Sequence, residues 1–117
     1  MNRSAFGRLG EDRAAALLEE EGLSIIARNF RTRRGEIDLI AIDGEAVVFV
    51  EVKAWTKYGI EDLEKAVGPR KIDRIVETAK IFLSVHREYN SMAVRFDLVF
   101  IGADGMRHLA SAFTERV

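Results

Sequence analysis

Apolar positions recur with two different periods along the chain, and these periods predict the order of helices and strands. Helical spacing of apolar residues indicates helices, and apolar runs bounded by turn residues indicate strands. We predict a first helix that Ser4 caps and Gly22 ends, and a long second helix that Gly68 and Pro69 open. Strands are predicted over residues 24–30, 36–42, 45–53, 94–101 and 106–113. This order predicts an α/β fold, with a mixed sheet on which the helices pack.

Each predicted helix carries an apolar stripe that should face the sheet. On the first helix only Arg13 interrupts the stripe, whose apolar members are Phe6, Leu9, Leu17 and Leu18. On the second helix the stripe consists of Ile72, Ile75, Val76, Ala79, Phe82 and Leu83. The second stripe matches the spacing of an amphipathic helix closely.

The predicted strands 36–42 and 45–53 are apolar on both faces, which is typical of central strands that are covered on both sides. Asp38 and Glu51 nevertheless lie within them. An ionised carboxylate in such a place is costly unless a lysine or a metal ion pairs with it. The two residues are therefore candidates for a functional site.

Hairpin geometry predicts that these carboxylates share one face of the sheet. If the Asp-Gly pair at residues 43–44 forms a two-residue loop, Glu36 faces Glu51, and Asp38 lies diagonally from Glu51. Because strand side chains alternate, one face then carries four charged groups: Glu36, Asp38, Glu51 and Lys53. Mg²⁺ suits such oxygen ligands, and with Lys53 beside it could hydrolyse a phosphodiester. Two alternatives stay open here: a surface ion pair between Glu51 and Lys53, and a merely solvated Glu36.

Composition narrows the chemistry further. The chain has 117 residues, no cysteine and two histidines, which fits one domain over residues 1–117 and excludes disulfides and thiolate metal sites. Two histidines cannot by themselves build a catalytic zinc site, and we expect His86 to pack beside the second helix and His108 to lie on a surface strand. The longest apolar run, residues 46–50, is too short to span a bilayer, and no apolar signal region follows the first residues. We therefore expect a cytoplasmic protein without membrane contact.

Charge is unevenly distributed although the formal total is −1. Residues 1–35 carry +2, residues 36–67 carry −5 and residues 68–117 carry +2. Two basic groups flank the acidic segment: Arg31, Arg33 and Arg34, and then Arg70, Lys71 and Arg74. They could hold a phosphate backbone without reading its sequence, helped by the free backbone N–H groups where the second helix starts. An ordinary solvated surface is the alternative.

A set of motifs runs in order over nearly the whole chain. It comprises Gly-Arg-Leu-Gly-Glu at residues 7–11, Arg-Asn-Phe-Arg at 28–31, Gly-Glu-Ile-Asp-Leu-Ile-Ala at 35–41, Val-Phe-Val-Glu-Val-Lys at 48–53, Pro-Arg-Lys at 69–71 and Arg-Phe-Asp at 95–97. Together these motifs closely resemble the YraN family of small bacterial proteins. That family is predicted to consist of endonucleases distantly similar to archaeal Holliday-junction resolvases, within the PD-(D/E)xK nuclease superfamily.

The resemblance implies a fold and a set of site residues. The fold is the restriction-endonuclease-like core, αβββαβ, with a central mixed sheet flanked by helices. Asp38 and Glu51 correspond to the two acids that bind the metal ion, with the backbone carbonyl of Val52 as a further ligand. Lys53 corresponds to the catalytic lysine, and Glu11 to an additional acid directed toward the metal, through water. The implied cofactor is Mg²⁺, with Mn²⁺ as a substitute.

The leading hypothesis is accordingly a Mg²⁺-dependent endonuclease acting on DNA, with branched and single-stranded DNA as candidate substrates. A catalytically weak or inactive nucleic-acid-binding module is the second reading, and an ordinary structural or interaction domain is the third. Related resolvases act in pairs, so a homodimer is an option, although no residue demonstrates an interface. One departure concerns Trp55, which stands where the family usually has an arginine. We expect Trp55 to pack on the core rather than to stack on an unpaired base, and its presence puts the substrate details in doubt.

Overall fold

A computed structural model describes residues 3–54, 68–102 and 105–113 of the chain. The elements are α1 (Arg3–Glu20), β1 (Ser24–Arg31), β2 (Glu36–Asp43), β3 (Ala46–Ala54), α2 (Pro69–Val85), a short 3₁₀ helix (Arg87–Tyr89), β4 (Ala93–Gly102) and β5 (Gly105–Phe113). The strands form one sheet in the order β1-β2-β3-β4-β5, in which β3 and β4 are parallel and the other neighbours are antiparallel. The protein is therefore an α/β protein whose mixed five-stranded sheet is flanked by helices, as the sequence predicts.

The first helix differs from its prediction at one end and on one face. α1 begins at Arg3, so Ser4 lies inside the helix and the prediction that it caps the helix is wrong. Leu9 is 49% exposed, whereas Ala14, Ala15 and Leu18 are fully buried. Of the predicted stripe, Leu17 and Leu18 do pack on the core, but Leu9 does not. The small side chains of Ala14 and Ala15 let the helix lie close to the sheet.

Gly22 ends α1 as predicted. The Leu23 N–H donates to the Leu18 carbonyl at 3.0 Å, and the Gly22 N–H donates to the Glu19 carbonyl at 3.0 Å. Gly22 has a φ of 95°, which is open to glycine without a steric penalty. These bonds satisfy the free carbonyls of the last turn, and the buried Leu23 then starts the chain back along the sheet.

The second helix follows its prediction closely. Pro69 stands in the first turn after Gly68, where a missing N–H costs nothing. The apolar stripe is buried at Ile75, Val76 and Phe82. His86 is half-buried, and its ring stacks on Phe82 with the centroids 4.4 Å apart, which confirms its predicted packing role.

The hairpin between β2 and β3 has a loop of the predicted length, but the loop lies one residue later. Asp43 pairs with Ala46, so residues 44–45 form the loop, and Ile42 faces Val47 rather than Glu45. Gly44 takes the first loop position with a φ of 58°. A type II′ turn requires a positive φ at this position, and glycine adopts it more easily than Asp43, the residue predicted there. The shift moves the pairing by two residues in total. The alternation of side chains is therefore preserved from Leu39 to Asp43, but it breaks before Leu39, because Ile37 packs with Ile40 under α2 while Leu39 packs under α1.

Two apolar cores cover the two faces of the sheet, so β2 and β3 are central strands as predicted. The core under α1 contains Ala14, Ala15, Leu18, Leu23, Leu39, Ala41, Val48, Val50 and Val99. The core under α2 contains Ile37, Ile40, Val47, Phe49, Ile75, Val76, Ala79, Phe82 and Phe96. In the described parts of the chain, no helix has both the length and the apolar character needed to cross a bilayer.

Candidate active site

Asp38 and Glu51 lie side by side where β2 begins and β3 nears its end. The two strands are antiparallel, and their regular pairing is recorded as far as Leu39 and Val50. Beyond that point the Asp38 side chain bonds to β3, because its Oδ2 accepts a hydrogen bond from the Val52 N–H at 2.7 Å. The Asp38 carboxyl is also a hydrogen-bond partner of Glu51. The predicted diagonal arrangement is thus replaced by a direct contact between the two carboxyl groups.

This contact changes the protonation of Glu51. Burial raises the pKa of Glu51 to about 9, and the hydrogen bond and negative charge of Asp38 act in the same direction. The positive charges of Lys71 and Lys53 lower that pKa only in part. Without a further cation, Glu51 therefore holds a proton at neutral pH.

Two lysines accompany the carboxyl pair. The Lys71 Nζ atom, which α2 contributes, lies 3.7 Å from Oε2 of Glu51. Burial lowers the pKa of Lys71, and the neighbouring Lys53 amine lowers it further. Lys53, on β3, is half-buried. The predicted site residues Asp38, Glu51 and Lys53 are thus brought together, and Lys71 joins them from an element that the sequence assigns to phosphate binding.

The carboxyl pair opens into a cleft of about 290 Å³ between α2 and the start of β2. Its lining consists of Gly35, Glu36, Asp38, Glu51, Lys71, Arg74 and Ile75. The cleft therefore combines three acidic and two basic side chains. The predicted common face of Glu36, Asp38 and Glu51 is confirmed by this lining.

Glu11 reaches the same neighbourhood from α1. Burial raises the pKa of Glu11, and the charges of Asp38 and Glu36 contribute to the rise. Asn29 is its hydrogen-bond partner and opposes the shift. Asn29 has a φ of 52°, a conformation that asparagine tolerates better than most residues. Sequence reasoning did not single out Asn29, because its partner Glu11 lies on another element.

The donor set fits a hard divalent cation that keeps several waters. Among residues 3–54, 68–102 and 105–113, no group of three acidic or histidine side chains is placed to hold a metal ion. Asp38 and Glu51 could supply two oxygens, so further ligands would have to come from the main chain or from water, as Mg²⁺ commonly accepts. The raised pKa of Glu51 marks negative charge that a cation would stabilise. The Val52 carbonyl as a third ligand stays a prediction.

The basic run before β2 divides into paired and unpaired side chains. Arg28 forms an ion pair with Asp12, and Arg31 Nε lies 3.1 Å from Oε1 of Glu36. Within the described chain, no ion pair forms at four other predicted phosphate ligands, Arg33, Arg34, Arg70 and Arg74. Arg31 is therefore a weaker candidate for phosphate binding than the sequence indicates.

Gly35 fixes the loop that carries Arg33 and Arg34 against α2. A Cβ atom on Gly35 would lie 3.1 Å from Oγ1 of Thr78 and 3.3 Å from Cβ of Arg74. The Thr32 N–H donates to the Gly35 carbonyl at 2.8 Å and closes the loop. The absence of a side chain at Gly35 thus allows a close approach that brings the arginine loop beside Arg74.

A second polar cluster lies around Asp97 on β4, and sequence reasoning missed it. Asp97 is 1% exposed. Its carboxylate accepts two hydrogen bonds from Arg95, both at 2.9 Å, and one from the Ser111 N–H at 2.9 Å. His108 Nε2 lies 2.6 Å from Oδ2 of Asp97, and its other ring nitrogen contacts Glu21. His108 lies on β5, the edge strand of the sheet, in line with the predicted surface strand, but its side chain is only 10% exposed because it turns toward Asp97.

The protonation of this second cluster is the reverse of that in the cleft. Burial alone would raise the pKa of Asp97, but hydrogen bonds from His108, Arg95 and Ser111 outweigh it and hold the pKa below its usual value. The same bond to Asp97, assisted by Glu21, raises the pKa of His108. Asp97 is therefore a charge-compensated structural group. Trp55 lies outside the described residues.

The fold and the cleft together define an α/β protein with a polar site between the central hairpin and α2. Comparison with known sequences then gives the family. The model of the Uncharacterised protein family UPF0102 matches residues 10–101, and the chain belongs to this family, the one that the YraN resemblance indicates.

Similar proteins come from distant bacterial groups. A UPF0102 protein of Streptomyces griseus is 50% identical over 97 residues, which cover 83% of this chain and 82% of that protein. A UPF0102 protein of Treponema pallidum is 45% identical over 119 residues, which cover 96% and 94%. One of Anaeromyxobacter dehalogenans is 44% identical over 115 residues, which cover 95% and 85%.

Proposed function

We propose that this protein is a Mg²⁺-dependent endonuclease that hydrolyses phosphodiester bonds in DNA, with branched and single-stranded DNA as candidate substrates. The observation that carries the proposal is the half-buried contact between Asp38 and Glu51, with Lys53 and Lys71 beside it. Charge of this kind is unfavourable unless a cation or a function accounts for it. We also propose that it acts in the cytoplasm, as a homodimer.

Each site residue would have a role that follows from its chemical group. Asp38 and Glu51 would hold the metal ion, together with the Val52 carbonyl. A bound Mg²⁺ would polarise the phosphodiester and lower the pKa of a coordinated water. Lys53 would orient that water and neutralise negative charge on the phosphorus, which electrostatic stabilisation requires. Glu11 would act on the same centre through water. Mn²⁺ would substitute for Mg²⁺.

The unpaired arginines would position the substrate. Arg33 and Arg34 directly precede Gly35, which lines the cleft together with Arg74, and Arg70 lies in the first turn of α2. Contacts of this type bind phosphates without reading base sequence. Binding should therefore weaken steeply as salt rises.

One observation favours a second candidate, a catalytically weak or inactive nucleic-acid-binding module. Within the described chain, only two carboxylates come together at the proposed metal site, and no third side chain completes it. The module would bind DNA through the same arginines, but it would not cleave DNA.

The experiment that separates the two candidates is cleavage of labelled DNA by the purified protein. Duplex, single-stranded and four-way-junction DNA should be incubated with Mg²⁺, with Mn²⁺ and with a chelator. We expect metal-dependent cleavage that Asp38→Asn, Glu51→Gln and Lys53→Ala each abolish. Glu45→Gln is the matched control, because Glu45 is an exposed carboxylate of the hairpin loop. Cleavage that survives in the three site variants would contradict the proposal, and binding without cleavage would support the module.

A further inference from the structure

Lys71 lies in an unexpected place for a residue at the start of α2. Its Nζ atom is 3.7 Å from Oε2 of Glu51, and its side chain is 33% exposed. The neighbouring Arg70 is exposed on the same turn and has no ion-pair partner within the described chain. Lys71 thus forms an ion pair with Glu51, whereas Arg74 lines the same cleft without a recorded ion pair among the described residues.

The contact has a plain electrostatic consequence. The Glu51 side chain is 12% exposed, and Asp38 touches it, so a nearby positive charge stabilises the pair. Lys71 supplies this charge on a long flexible stem, and its amine also contacts the Lys53 amine. The amine therefore stands at the carboxylate that a divalent cation would also contact.

We propose that Lys71 is the built-in counter-ion of the carboxyl pair, and that it competes with a divalent cation for Glu51. The inference rests on the proposed metal-dependent function, and it makes Lys71 a positioning residue. Its effect is to keep the pair stable without a metal ion and to weaken metal binding. Removal of the Lys71 charge should consequently strengthen metal binding, whereas loss of an ordinary site residue should weaken it.

The test is titration calorimetry with Mn²⁺ in the absence of DNA. We expect Lys71→Met to bind Mn²⁺ about tenfold more tightly than the unmodified protein, because one positive charge is removed from beside the ligand. Lys71→Arg keeps the charge and should stay close to the unmodified protein. Lys80→Met is the matched control, since Lys80 is exposed farther along the same helix. Lys71→Gln replaces Lys71→Met if the latter does not fold, as judged by circular dichroism.

The outcomes separate this inference from the proposed function. Equal or weaker Mn²⁺ binding by Lys71→Met, with binding still lost in Glu51→Gln, would overturn the role of Lys71 and leave the metal site intact. Absence of Mn²⁺ binding by the unmodified protein, or binding that survives in Glu51→Gln, would overturn both. Tighter binding that is confined to the Lys71 variants lacking the charge would support the inference.

Discussion

The Asp97 cluster gives the sharpest prediction about stability. Asp97 is 1% exposed, and its carboxylate is the hydrogen-bond partner of Arg95, His108 and the Ser111 amide at the same time. Asp97→Asn preserves the volume but removes the negative charge and turns one acceptor into a donor. Arg95 and His108 then lose their buried counter-ion. The perturbation is therefore the removal of one partner from a buried ion network, with little change in packing.

The magnitude follows from the burial of this pair. Removing one partner of a buried ion pair costs about 3–5 kcal/mol, and the partially exposed partners Asp43 and Glu21 keep the cost near the lower end of that range. A native domain has a free energy of unfolding of about 5–15 kcal/mol, so the loss is a large fraction of the total. For a chain of this size the melting temperature should fall by about 10–20 °C.

The assay is thermal and urea unfolding at pH 7, followed by circular dichroism. Asp43→Asn is the matched control, because Asp43 also bonds to Arg95, at 2.7 Å, but its side chain is 40% exposed. An exposed ion pair of this kind contributes at most about 1 kcal/mol. If Asp97→Asn cost no more than Asp43→Asn, the reasoning about buried compensation would be refuted.

Three further predictions concern pH, packing and charge. The pKa of His108 is raised in the folded protein, so its stabilising contribution is complete below its unfolded-state pKa of 6.5 and is lost as pH rises through its folded-state pKa. His108→Gln should accordingly lower the free energy of unfolding more at pH 5.5 than at pH 8.5. A cost that does not depend on pH would contradict this. Gly35→Ala should lower the free energy of unfolding by about 1–3 kcal/mol through crowding against Thr78. This loss should be smaller in a Thr78→Ala background. If the losses of the two single variants simply add in the double variant, the contact does not matter. The pKa of Glu51 is raised to about 9, so the folded state loses stability relative to the unfolded state as pH rises from 4.5 to 9. In urea unfolding at pH 8 without metal, the free energy of unfolding of Glu51→Gln should therefore exceed that of the unmodified protein by at least about 1 kcal/mol. A lower free energy of unfolding in Glu51→Gln would refute the assignment.

The central strands and their shared charged face were predictable because they depend on local alternation. Side chains of a strand alternate with a period of two, and a loop that lies one residue later shifts the pairing by two residues. Glu36, Asp38 and Glu51 therefore still line one cleft, although Ile37 departs from the alternation. The face depends on the parity of the pairing rather than on the identity of the loop residues. A loop one residue longer would have separated Asp38 from Glu51.

Predictions failed where packing or distant partners decide the outcome. The apolar stripe of α1 pointed to Leu9, but the helix lies on Ala14 and Ala15, and close packing of small residues leaves little trace in a hydrophobic pattern. The burial of the His108 side chain was not predicted because its partners, Asp97 and Glu21, are 11 and 87 residues away. No local pattern joins residues at such separations.

The two carboxylate clusters differ in how far their charge is compensated. At Asp97, hydrogen bonds from Arg95, His108 and Ser111 hold the pKa of the carboxyl below its usual value. At Glu51, burial and Asp38 raise the pKa to about 9, and Lys71 and Lys53 compensate only in part. Natural sequences usually satisfy buried charges, and exceptions tend to mark sites where a ligand completes the set. The cleft beside Glu51 is therefore where a cation and an anionic substrate should be sought, and the Asp97 cluster is where the sheet is held together.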